Sequence, residues 1–176
     1  MQQGTVNRVD RFWSAIELNP SNWSEARDGY RDLLNNAANA SREDLRRTMN
    51  WLEACLVQIE RPSAAAACRY LTKMPEELLA AEYGRLLQIF NSKKVGMVWP
   101  MRPNYKEYLP RGPVPNFGAE AGFGLVRSNP ELYVKLAKLG PEMEEVIIQL
   151  VGEAIRFNVS IPEDLMAFAP APSATG

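Results

Sequence analysis

The sequence predicts an all-α fold, a helical bundle of about six helices, and three observations support this prediction. Apolar residues recur at intervals of three and four residues over most of the 176-residue chain, which is the spacing of amphipathic helices. Proline, serine or asparagine stands where several of these patterns begin, as is typical of helix N-termini. One long segment, residues 92–128, lacks the pattern and holds five of the 13 prolines and five of the 11 glycines. We therefore expect helices on both sides of a long central loop.

The helices before the central loop can be placed from their capping residues. An apolar stripe over residues 9–16 predicts a first helix, which the Asn-Pro pair at 19–20 ends. Ser21 or Asn22 can cap a second helix. The Ser-x-x-Asp sequence at 41–44 is close to a capping box and opens the clearest helix of the chain.

Proline marks the remaining helix starts, because the first helical turn has no need of the missing N–H group. Pro62 begins an alanine-rich helix, and Pro75 begins another that extends to Phe90. After the central loop, the Asn-Pro pair at 129–130 opens a short helix, and Pro141 begins the last major helix.

The chain is most simply one helical domain, residues 1–168, which includes the central loop at 92–128. Within it, short runs at 95–99 and 124–126 have strand-like composition and could pair as a minor β-ribbon. The last residues, 169–176, are small residues and proline, which predicts a flexible tail.

The absence of histidine excludes several classes of catalytic and metal site. Ser-His-Asp and Cys-His catalysis, His-based zinc sites and Glu-x-x-His di-iron sites all need histidine from the chain. The two cysteines, Cys55 and Cys68, are too few for a Cys₄ site and lie in apolar helical patterns, so we expect reduced core residues. The sequence thus favours a protein that is not an enzyme and has no cofactor or metal.

Two features of the sequence bear on its location. Charged residues interrupt every apolar run near the N-terminus, and no run of 18 apolar residues occurs anywhere. We therefore expect a soluble protein of the cytoplasm or another intracellular compartment, with no signal peptide, transmembrane segment or membrane partner.

The central loop is basic and aromatic. Residues 92–128 contain six basic and two acidic side chains, which give a net charge of +4. The whole chain has a net charge of −1, so the remaining residues carry −5. Aromatic planes combined with basic side chains are typical of sites for single-stranded nucleic acid. The predicted site for nucleic acid or another polyanion comprises Lys93, Lys94, Trp99, Arg102, Tyr105, Lys106, Tyr108 and Arg111.

The last major helix is apolar around most of its circumference. Such a helix is buried on several sides, either in the centre of the bundle or against another subunit. We therefore predict an assembly interface at Val146, Ile147, Leu150 and Val151.

These observations lead to three hypotheses. The first is a non-enzymatic helical-bundle subunit of coat or scaffold type that binds other copies of itself or a protein partner, with RNA or another polyanion along the central loop. The second is a ligand-binding or enzymatic domain in which the central loop is a lid carrying Tyr105, Glu107, Tyr108 and Glu120. The third is a monomeric adaptor or inhibitor specific for one partner.

The general profile is similar to that of coat subunits of rod-shaped and filamentous plant viruses. The shared features are a length under 200 residues, a helical pattern, mild acidity, a lack of histidine, a long loop and a small-residue tail. The similarity covers no diagnostic motif, so no residue role is carried across. What it implies is lateral assembly, with RNA held by a basic loop.

Overall fold

The computed structural model describes residues 3–58, 60–91, 129–156 and 161–169. These residues form helices and turns and contain no strand, so the predicted all-α class is confirmed. The chain divides into two compact units, Met1–Leu86 and Leu87–Gly176. The prediction of a single domain over 1–168 stays a prediction. The proposed ribbon at 95–99 and 124–126 lies outside the described residues, as does the tail from residue 170 onward.

The described residues of both units form helices and short 3-10 helices. The first unit contains α1 (Gln3–Leu18), a 3-10 helix (Pro20–Ala26), α2 (Arg27–Asn35), a 3-10 turn (Ala37–Asn39), α3 (Arg42–Gln58), α4 (Arg61–Lys73) and α5 (Glu76–Ala81). Helix α6 (Tyr83–Phe90) begins in the first unit and ends in the second. The second unit continues with α7 (Pro130–Ala137), α8 (Pro141–Arg156) and a last 3-10 helix (Glu163–Phe168).

Four aromatic rings form the centre of the first unit. Phe12 and Trp13 come from α1, Tyr30 from α2 and Trp51 from α3, and neighbouring ring centroids are 5.2–6.2 Å apart. Most pairs meet edge to face, the arrangement that aromatic quadrupoles favour. The Tyr30 hydroxyl donates a 2.6 Å hydrogen bond to the carbonyl of Ala66 in α4. The cluster therefore joins four helices.

Ser63 connects three elements beside this aromatic cluster. The Trp51 indole N–H donates to the Ser63 hydroxyl at 2.7 Å, and that hydroxyl donates to the carbonyl of Pro20, also at 2.7 Å. Ser63 is fully buried at the start of α4. Since a buried polar group without a partner costs free energy, this chain of bonds allows the indole N–H to be buried.

Helix α2 lies unusually close to α1 at Gly29. A Cβ atom at this position would lie 2.2 Å from the carbonyl oxygen of Arg8 and 2.7 Å from Cβ of Phe12. Glycine alone leaves room for the two helices to approach this closely. The side chains of Arg8 and Asp32 then pair across the same two helices, at 3.0 Å and 3.3 Å.

The predicted helix starts are mostly confirmed. Ser41 and Asp44 form a reciprocal capping box, each backbone N–H bonding to the other side chain at 3.0 Å. The predicted cap of the second helix was wrong. The side chain of Asn19 accepts the N–H of Ser21, so a 3-10 helix begins at Pro20, and regular α-helix starts only at Arg27.

The helix predicted from Pro75 to Phe90 is broken at Glu82. Its carboxylate accepts from Arg42 at 3.0 Å and from Arg46 at 3.2 Å, both of which lie in α3. Glu82 is the C-terminal cap of α5, and its backbone leaves the α-helical region there. The break thus coincides with an ion-pair cluster formed with another helix.

Helices α7, α8 and the last 3-10 helix pack together in the second unit. Their shared core consists of fully buried side chains from each element, namely Leu132, Tyr133, Leu136, Met143, Ile147, Val151 and Leu165. The rings of Phe90 and Tyr133 meet edge to face at 5.7 Å. None of the described helices is both long and apolar enough to cross a membrane.

Candidate functional site

A groove with an aromatic floor opens on the surface of the first unit, between α1 and α3. Its volume is about 240 Å³. The buried lining residues, which form its floor, are Trp13, Ile16, Pro20 and Trp51. The more exposed lining residues, which form its walls, are Glu17 from α1 with Arg47, Asn50, Ala54 and Gln58 from α3. We call this the tryptophan groove.

The helical repeat of α3 produces one wall of the groove. Arg47, Asn50, Ala54 and Gln58 are spaced three or four residues apart, so they lie on one face of the helix. The opposite face of α3 is the buried stripe that packs into the core. The wall is therefore the polar edge of an amphipathic helix, and it borders directly on the aromatic floor.

Ion pairs and ring contacts hold the side chains of this wall. The guanidinium carbon of Arg47 lies 5.7 Å from the centroid of the Trp13 ring, and its Nε lies 3.4 Å from the carboxylate of Glu43. Asn50 accepts a hydrogen bond from Arg85, which also pairs with Glu53. These contacts restrict the conformations of the wall side chains.

Two large apolar side chains that adjoin lining residues in the chain are exposed. Leu18 is 83% exposed and lies in the chain between two lining residues, Glu17 and Pro20. Val57 is 68% exposed and lies next to the lining residue Gln58 in α3. Successive residues of a helix point about 100° apart, so Leu18 and Val57 adjoin the lining in sequence but are not part of it.

A second, wider concavity of about 450 Å³ lies at the junction of α1, the first 3-10 helix and α2. Arg8, Arg11 and Arg27 line it together with Glu25 and Asp28. Asp32 lies outside the lining and pairs with Arg8. The three basic side chains are therefore matched by three acidic ones, and the charges around this cavity balance. Its charge gives no reason to expect a polyanion there.

Both cysteines and two tyrosines of the first unit are buried and have raised pKa values. Cys55 and Cys68 are both free and buried, as the sequence predicts. Burial raises the pKa of the Cys55 thiol to about 12 and raises that of Cys68 further. Burial also raises the pKa of Tyr30 and Tyr70. Such groups are poor nucleophiles at neutral pH.

No metal centre can be assembled from what the structure describes. Among residues 3–58, 60–91, 129–156 and 161–169, no group of three or more cysteine, aspartate and glutamate side chains could hold a metal ion.

The structure tests little of the site predicted from sequence. The eight side chains assigned to nucleic acid or polyanion binding all lie in 92–128, outside the described residues, and so do the four assigned to a lid. Val146, Ile147, Leu150 and Val151 lie in α8 and are buried, with exposures of 7%, 0%, 8% and 0%. Their role as an assembly interface stays a prediction.

Sequence reasoning missed the tryptophan groove. It assigned Trp13 to the apolar stripe of the first helix and did not connect this stripe with α3. The available signal was the stripe of α3 formed by Arg47, Asn50, Ala54 and Gln58, which runs alongside an apolar stripe of the same helix. That signal becomes specific only once α1 and α3 are known to be neighbours.

Comparisons with models of known protein families, with curated proteins and with solved structures found no match to this chain.

Proposed function

We propose that this chain is a non-enzymatic helical subunit that assembles with other copies of itself, and that the tryptophan groove is a contact surface of the assembly. The observation that carries the proposal is a surface groove with two tryptophans in its floor and an arginine and two amide side chains in its wall. A concavity lined by aromatic side chains and a few polar groups is typical of binding sites.

The composition of the groove fits the centre of a protein interface. Binding energy in such interfaces is concentrated in pockets rich in tryptophan and arginine, surrounded by polar residues that exclude water. Trp13 and Trp51 form such a floor, while Arg47, Asn50 and Gln58 form a polar rim. A stable interface buries about 800 Å² on each partner, so the groove would be the anchor of a larger contact.

The proposal is tested by filling the groove. In an Ala54→Arg variant, a long side chain projects from the wall over the floor, and we expect loss of self-association. Ala80→Arg is the matched control, because Ala80 is an exposed helical residue of α5 that does not line the groove. Far-UV circular dichroism during thermal unfolding establishes that both variants are folded.

The measurement is the mass of each protein by size exclusion with light scattering over a range of concentrations. We expect association in the wild type and in Ala80→Arg, and a monomer in Ala54→Arg. Equal association of all three proteins would show that the groove is not the contact. A wild type that stays monomeric at every concentration would refute the assembly function itself.

We also propose that the subunit contacts RNA or another polyanion through the basic residues of the central loop. The supporting observation is that residues 92–128 have a net charge of +4, whereas the whole chain has a net charge of −1. Binding of a single-stranded oligonucleotide should weaken with salt, with a slope of about −0.7 per neutralised phosphate. Arg102→Ala combined with Arg111→Ala should flatten this slope, and binding that does not depend on salt would refute the proposal.

A further inference from the structure

A partly exposed tryptophan lies beside the junction of α2 and α4. Trp23 belongs to the first 3-10 helix, and its ring meets the ring of Tyr30 edge to face, with centroids 5.7 Å apart. The Tyr30 hydroxyl in turn bonds to the carbonyl of Ala66 in α4. The guanidinium carbon of Arg27 lies 5.7 Å from the centroid of the Trp23 ring. An indole ring and a planar cation therefore lie against each other at this junction.

Three basic side chains are exposed around the same junction. Arg31 lies one turn after Arg27 in α2, and so on the same side of that helix. In α4, Arg69 lies three residues after Ala66, and Lys73 lies one turn further on. Both helices therefore carry exposed basic side chains beside the contact that joins them.

Arg69 is close enough to Tyr30 to act on its phenol group. Burial raises the pKa of Tyr30, and the positive charge of Arg69 partly opposes this rise. Since Tyr30 also contacts Trp23, one buried tyrosine connects the aromatic and the basic groups. We define the α2–α4 surface by its five side chains, which are Trp23, Arg27, Arg31, Arg69 and Lys73.

The charges of this surface are not neutralised by neighbouring carboxylates. Within the part of the chain that the structure describes, Arg31, Arg69 and Lys73 form no ion pair. Other arginines of the first unit are in contrast paired with carboxylates, namely Arg8, Arg42, Arg46, Arg47 and Arg85. The α2–α4 surface therefore keeps three positive charges available to an anionic partner.

The acidic side chains of α2 lie on its other side. Asp32 pairs with Arg8 of α1, and Asp28 lines the wide concavity beside α1. Arg27 also borders that concavity, where its charge is already matched. What Arg27 contributes to the α2–α4 surface is thus its planar group, which is held over Trp23.

We infer that the α2–α4 surface binds single-stranded nucleic acid. Arg31, Arg69 and Lys73 contact phosphates, while the guanidinium plane of Arg27 offers a platform for a base. Bases of single strands stack on aromatic rings and on guanidinium planes, beside basic side chains that follow the backbone. This inference rests on the proposed binding of RNA or another polyanion, to which it adds a contact surface outside the central loop.

The composition of the surface favours nucleic acid over a membrane of anionic lipids. Helices that lie on membranes combine basic side chains with large exposed apolar ones. Among the described residues, the large apolar side chains that are exposed are Leu18, Val57, Ile155 and Met166. None of them belongs to α2 or α4. The α2–α4 surface therefore has no apolar group to insert between lipids.

The first experiment removes charge from the surface. Binding of a fluorescein-labelled oligouridylate is measured by fluorescence anisotropy as the salt concentration is varied. Arg31→Ala combined with Arg69→Ala should reduce the slope of log affinity against log salt by about 1.4, because each lost phosphate contact is worth about 0.7. Arg8→Ala combined with Arg42→Ala is the matched control, since it removes the same charge from paired positions and should keep the wild-type slope.

The second experiment removes the plane and keeps the charge. Arg27→Lys should weaken binding by about twofold to fivefold at every salt concentration, because lysine has no planar group to stack on a base. The salt slope should stay that of the wild type. Arg42→Lys is the control and should bind like the wild type. Far-UV circular dichroism during thermal unfolding establishes that all variants are folded.

The outcomes separate this inference from the proposed function. A reduced slope in the Arg31–Arg69 variant, with the wild-type slope in its control, supports the inference. Suppose instead that this variant binds like its control, whereas Arg102→Ala combined with Arg111→Ala flattens the slope. The central loop would then bind the RNA, and the α2–α4 surface would be refuted. A wild type that binds no oligouridylate would refute both.

A last measurement distinguishes the two kinds of anionic partner. Wild type and the Arg31–Arg69 variant are each sedimented with vesicles that contain anionic lipid. We expect no difference between them. Vesicle binding that is lost in the variant, while its binding of oligouridylate is unchanged, would assign the surface to membranes and refute the inference.

Discussion

Replacing Gly29 with alanine tests the close packing of α2 on α1. The added Cβ would lie 2.2 Å from the carbonyl oxygen of Arg8, whereas ordinary contacts begin near 3.4 Å. Helix α2 must therefore move by about 1 Å, because the obstructing atom belongs to the backbone of α1 and cannot turn away. This movement would also disturb the ring contact between Phe12 and Tyr30, whose centroids are 5.7 Å apart.

The magnitude follows from two opposing effects. Overpacking a core typically costs about 1–3 kcal/mol, and an obstruction by backbone places Gly29→Ala near the upper end of that range. Alanine returns about 0.5–1 kcal/mol through its higher helix propensity. The net loss in the free energy of unfolding is therefore about 2 kcal/mol, or about 4–8 °C in Tm for a chain of this size.

Gly84→Ala is the matched control, because nothing lies within 4 Å of a Cβ atom at Gly84 in α6. This variant should gain about 0.5–1 kcal/mol from helix propensity alone. The assay is urea unfolding followed by far-UV circular dichroism, with the midpoint and slope measured for each protein. A Gly29→Ala protein as stable as Gly84→Ala would refute the packing of α2 against α1.

Three further predictions concern buried and paired groups of the first unit. Ser63→Ala should cost about 1–3 kcal/mol in urea unfolding, because the buried Trp51 indole N–H loses its acceptor; an unchanged midpoint would contradict this role. The hydrogen bond from an arginine of α3 lowers the pKa of Glu82 below its ordinary value of 4.5, so the stabilisation is present at neutral pH and lost on acidification. The difference in stability between wild type and Glu82→Gln should accordingly be constant above about pH 5 and shrink below about pH 4.5; a difference that grows on acidification would contradict the pairing. Burial raises the pKa of both Cys55 and Cys68, so the folded chain should resist an aromatic disulfide reagent at pH 8, while the unfolded chain should react at both of its cysteines.

Local signals in the sequence were sufficient to predict most of the helix starts. The capping box at Ser41 and Asp44 needs only residues within one turn, so the start of α3 is correctly predicted. The break at Glu82 could not be predicted in this way. It coincides with ion pairs to Arg42 and Arg46, which are about 40 residues away in the chain.

The tryptophan groove could not be predicted for the same reason. Its floor and walls come from α1, the first 3-10 helix and α3, and no spacing within one segment indicates that these elements meet. The aromatic floor appears in the sequence only as core residues, Trp13 and Trp51 among them. Charge in the central loop, in contrast, is visible in the sequence, and its role in polyanion binding remains a prediction.

The most direct test of the central claim is the mass of the wild-type chain in solution as its concentration is varied, after nuclease treatment. Sedimentation equilibrium gives this mass without a shape assumption. The account predicts that the mass rises with concentration from the 19.8 kDa of one chain to at least twice that value. A mass of 19.8 kDa at every concentration would contradict it.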